Sequence, residues 1–109
     1  MTEHFTDNRP ISETYRLVAK EWVEADSAAR LLEETKSAVL SQRMKALGDK
    51  PAAHAERDVK ASVEWADFID KLVRARTAAN LKKCQLEYLR MRFSETQSFE
   101  ATKRAEMKL

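Results

Sequence analysis

Glycine occurs once in the 109 residues, proline twice and cysteine once. Each scarcity excludes something. With one glycine there is no phosphate-cradling loop of the glycine-rich kind. One cysteine, Cys84, rules out an intrachain disulfide and a cysteine-only zinc site, and it suits a reducing compartment. The opening MTEHFTDNRP has neither the basic start nor the apolar run of a secretory signal. No uncharged stretch approaches the ~18–20 apolar residues of a membrane span. A cytoplasmic location with no membrane partner is therefore expected. Excess charge is lacking too. The net charge of +2 falls short of the strongly basic balance of a dedicated nucleic-acid coat, although local patches still count.

What is abundant is helix-forming. Charged residues make up 35% and hydrophobic residues 43%, enough apolar content to argue against disorder. Ala, Leu, Glu, Lys and Arg dominate, and almost nothing breaks a helix. Residues 1–11 are polar and end near Pro10, and read as a loose arm. Ser12 is a candidate N-cap, and Gly48 a natural stop, so the first helix is expected over 13–47. Residues 48–62 form a connector in which Pro51 suits the first turn of a short helix. Ser62 offers a second N-cap, and a helix of roughly 65 Å is expected over 63–106. Residues 12–109 thus read as one all-α domain, an antiparallel coiled-coil-like hairpin.

The apolar seam of the first helix reads Tyr15, Val18, Trp22, Ala25, Ala29, Leu32, Lys36, Val39, Arg43, Ala46. The second reads Trp65, Phe68, Leu72, Ala75, Ala79, Lys82, Leu86, Leu89, Phe93. Both alternate steps of three and four. One antiparallel register sets Trp22 against Leu89, Ala25 against Leu86, Leu32 against Ala79 and Val39 against Leu72. The same register brings Asp26 near Lys83, Glu33 near Arg76 and Glu21 near Arg92. Lys36, Arg43 and Lys82 on the seam are expected to pack their stems and send their charges to water.

The long second helix carries a further apolar stripe, Leu81, Cys84, Tyr88 and Met91. An ordinary surface helix needs one such stripe. The second is expected to be covered by another copy of the chain, giving a homodimeric helical bundle.

Catalytic chemistry is not visible. His4 and His54 fall in the arm and the connector, and no spacing suits a helix-borne metal site. Cys84 reads as an interface thiol rather than a nucleophile. No catalytic residue, metal or cofactor is expected. Nucleic-acid binding is the alternative, because Arg74, Lys82, Lys83, Arg90 and Arg92 could follow a phosphate backbone and Tyr88 could stack on a base. The C-terminal segment extends past the start of the first helix, so Phe99, Lys103, Arg104 and Met107 could dock a protein partner. Leu109 lacks intrachain cover on the same reasoning.

The hairpin length invites comparison with secreted WXG-type hairpins, but the turn reads Ala46-Leu47-Gly48-Asp49, without Trp-x-Gly. The run Glu87-Tyr88-Leu89-Arg90-Met91-Arg92-Phe93-Ser94-Glu95 resembles small bacteriophage and prophage helical accessory proteins. That resemblance covers the second half of the chain. It implies an accessory to phage DNA metabolism or a modulator of host machinery, and no catalytic motif.

Overall fold

The structure is a computed structural model that describes residues 9–108. Their regular elements, in order, are α1 (Ile11–Ala46), α2 (Ala52–Lys60) and α3 (Val63–Met107). The hairpin of two long helices with a short connecting helix is the observed architecture. Residues 1–8 of the expected arm lie outside the described residues, as does Leu109.

The ends of the helices follow from a few residues. α1 begins two residues before the expected start. The amides of Glu13 and Thr14 both donate to the carbonyl of Pro10, at 3.0 and 3.2 Å. The proline carbonyl thus opens the helix, and Ser12 lies within the first turn rather than at the cap. Thr14, a buried polar residue, also points its hydroxyl at the Pro10 carbonyl, 3.5 Å away. At the other end Gly48 has φ +86°. An added Cβ there would meet nothing within 4 Å, so the demand for glycine is conformational rather than steric.

The connector is built around Pro51, whose carbonyl accepts from the amides of His54 and Ala55, both at 3.0 Å. Lys50 and Asp58 close over α2 with an ion pair at 3.0 Å. Ser62 is the expected cap of α3. Its hydroxyl donates to the Val59 carbonyl at 2.6 Å and accepts from the Trp65 amide at 3.2 Å. One side chain therefore joins the end of α2 to the start of α3.

The span expected as one domain resolves into two compact units, each taking part of α1 and part of α3. Glu24–Ala79 forms one. Its buried side chains are Ala29, Ala55, Val59, Trp65 and Ala79, and Trp65 packs its ring 5.5 Å from that of Phe68. Ala55 and Val59 are four residues apart, so α2 turns one short apolar edge inward.

The other unit joins α1 up to Val23 with α3 from Asn80 onward. Val18, Leu86 and Leu89 form its core, with Tyr15, Ala19 and Trp22 packed against them. The buried apolar residues of α1 and α3 all come from the expected seam, but the ion pairs between the helices do not follow the expected register throughout. Glu21 takes Lys82, ten residues earlier in α3 than Arg92. Arg76 bonds Glu33 as expected and also Asp26, which had been matched to Lys83. The α3 partners of Glu21 and Asp26 lie ten and seven residues nearer its N-terminus than the expected register places them, while Glu33 keeps its expected partner. Lys36 and Ala46 are exposed rather than in the seam, and Phe93 stands half-exposed at its end.

Candidate interaction surface

Burying Leu86 and Leu89 against α1 turns the residues between and beside them outward. Leu81 is 52% exposed, Tyr88 49% and Met91 59%, and Cys84 is also exposed. Their steps of three, four and three keep them on one side of α3, so the second stripe is a continuous apolar strip over roughly 15 Å of helix. The Arg92 guanidinium carbon lies 6.0 Å from the centre of the Tyr88 ring, which holds a cation at the edge of that strip.

Four of the five candidate nucleic-acid residues make contacts within the chain. Arg74 donates to Asp70 at 2.8 Å. Lys82 pairs with Glu21 and keeps only 15% of its side chain exposed, so its charge is held between the helices rather than carried to water. Arg90 donates to the Tyr15 hydroxyl at 3.3 Å. Arg92 lies over Tyr88, and Lys83 is exposed on the surface.

Arg76, outside that set, carries the densest ionic contacts. It bonds both oxygens of Glu33, at 2.9 and 2.6 Å, and Asp26 at 2.7 Å. Asp26 also accepts from Arg30 at 3.0 Å. Arg76 holds the Glu33 carboxyl below its ordinary value by hydrogen bonding. A bidentate arginine between two acids one heptad apart fixes the helices rather than offering charge to a ligand.

Past Phe93, α3 continues without opposing α1, whose first residue is Ile11. Residues 91–108 are all exposed, including Phe99 at 69%, Lys103, Arg104 and Met107 at 79%. Where α1 begins, Ile11, Ser12, Tyr15, Leu89, Arg90 and Phe93 line a shallow, mostly apolar groove. Sequence reading assigned Phe93 to the seam and missed this groove. The available signal was the length of α3 beyond the last apolar residue that α1 could cover.

His54 is exposed in α2, and His4 lies outside the described residues. Among the described residues no group of three or more His, Cys, Asp or Glu is placed to hold a metal ion. Among them, too, no helix is long and apolar enough to cross a membrane. Compared with protein-family models, curated proteins and solved structures, the chain matches none.

Proposed function

We propose that the protein is a non-enzymatic helical adaptor that self-associates through Leu81, Cys84, Tyr88 and Met91 and presents the end of α3 to a protein partner. One observation carries this reading: a continuous apolar strip lies on α3 while the same helix buries a different side in its own core. Covering a fully exposed Leu or Met contributes roughly 1.5–3 kcal/mol. At half exposure each side chain adds about 1 kcal/mol, so eight from two copies contribute on the order of 8 kcal/mol. Association itself costs about 4–15 kcal/mol. The strip therefore supports a dimer only towards the low end of that cost, and then a weak one that dissociates on dilution.

The exposed segment after Phe93, with Phe99, Lys103, Arg104 and Met107, is the docking element in this reading. An accessory of phage origin, acting on host machinery, accords with the resemblance of residues 87–95. Light scattering on the wild type and on Leu81→Glu and Met91→Lys tests the proposal. The wild type should show a mass above that of one chain and both variants a monomer of unchanged helicity. A wild type that stays monomeric at high concentration removes the self-association reading.

A further inference from the structure

Resting on that reading, we infer that the second copy docks parallel and in register, α3 beside α3, so that Cys84 faces Cys84. The charges flanking the strip select that orientation. In heptad terms Leu81 and Tyr88 take the a positions, and Cys84 and Met91 the d positions. The flanking g and e positions are then Asn80 and Glu87 on one side, Gln85 and Arg92 on the other. In a parallel pair each g residue meets the e residue five places on in the other helix. Glu87 of one copy meets Arg92 of the second, and two-fold symmetry makes that contact twice. Asn80 and Gln85 form the uncharged flanking pair.

The antiparallel alternative matches the strip equally well, with Leu81 opposite Met91 and Cys84 opposite Tyr88. It sets Glu87 beside the second copy's Glu87, a like-charge contact at the centre. Apolar matching does not choose between the two orientations, but the flanking charges do. The position of Arg92 over the Tyr88 ring places its charge at the strip's margin, where the parallel arrangement needs it. Glu87 is exposed on the opposite margin.

Cys84 reports the orientation, because it is the chain's sole cysteine. A parallel pair puts both thiols in one layer, within the ~4.4–6.8 Å between Cα atoms that a disulfide spans. In the antiparallel pair the two are displaced by four residues, about 6 Å along the axis, beyond the sideways separation. Diamide supplies the oxidant: two thiols give up two protons and two electrons, the reagent becomes its hydrazine, and one S–S bond forms.

The experiment treats the full chain with diamide and follows the cross-linked dimer, alongside sedimentation of the untreated protein. The expected result is rapid Cys84 cross-linking, slowed severalfold by Glu87→Lys or Arg92→Glu alone and restored when both are combined. A tagged Leu81→Cys chain mixed with an untagged Met91→Cys chain, each also carrying Cys84→Ser, should give no band of mixed size. A mixed band, or tighter association of Glu87→Gln, overturns the parallel arrangement while leaving self-association standing. A monomer in sedimentation overturns both.

Discussion

Lys82 on α3 and Glu21 on α1 form an ion pair in which the lysine side chain is only 15% exposed and the glutamate 32%. The pair lies beside the core made by Val18, Leu86 and Leu89 and ties the two helices at one register. Removing the ammonium should matter more than at an open surface. Lys82→Ala is expected to lower stability by about 1.5–3 kcal/mol, the usual range for a hydrogen bond to a charged group. Replacing both partners by apolar residues of similar length, Lys82→Met with Glu21→Leu, should stay within about 1 kcal/mol of the wild type. Chemical denaturation of the single and double variants measures both.

Two leucines eight residues apart on α3 separate the helix's two sides. Leu89 is 1% exposed and Leu81 52%. Leu89→Ala should cost about 2–5 kcal/mol, because it removes buried contacts and leaves a cavity in a small core. Leu81→Ala should change the stability of the isolated chain by less than about 0.5 kcal/mol. Denaturation at low concentration, where association is absent, gives the comparison. Equal losses at the two positions would contradict the assignment of sides.

Acid should weaken the unit containing Arg76. The folded-state value of Glu33 is depressed by its hydrogen bonds to Arg76. Its stabilisation is therefore fully present above the ordinary value of 4.5 and is lost as the pH falls through the lower folded value. Asp58, held down by Lys50 in the same unit, and Glu13, held down by Arg16 in the other unit, act in the same direction. Thermal melts should show Tm falling in acid, with a shallower fall in Arg76→Gln. An unchanged slope in that variant would remove Arg76 from the explanation.

Nucleic-acid binding is the rival account, and its salt response is its signature. Arg74, Lys82 and Arg90 each hold a partner within the chain. Mobility shifts with single- and double-stranded probes should therefore show no complex even at low salt. A complex at low salt that fades as salt is added, and that Lys83→Ala and Arg92→Ala weaken, would favour the rival.

The seam and the helix limits were legible in the sequence for a local reason. Steps of three and four pick out Val18, Ala29, Trp65, Ala79, Leu86 and Leu89, which are the buried apolar residues of α1 and α3. Gly48 and Ser62 mark ends through backbone conformation and a side-chain cap. The pairing of the helices was less legible. Asp26 and Glu33 are one heptad apart, as are Arg76 and Lys83, so Asp26 meets a cation at either of two registers seven residues apart. Arg76 then reaches both acids, which no one-to-one matching anticipates. Lys82 was expected to extend to water because the expected register set it opposite Ala29. The observed one supplies Glu21. The strip at Leu81, Cys84, Tyr88 and Met91 was legible as apolar spacing, and its exposure follows once the opposite side is buried.

Sedimentation equilibrium across a wide range of protein concentration, on the wild type and the Leu81→Glu/Met91→Lys double variant, tests self-association most directly. The wild type should pass from one chain to two as concentration rises, and the variant should remain a single chain with the same helical content. A wild type that sediments as one chain at every concentration, or a variant that dimerises as well as the wild type, contradicts the assignment of the α3 strip as the place where two copies meet.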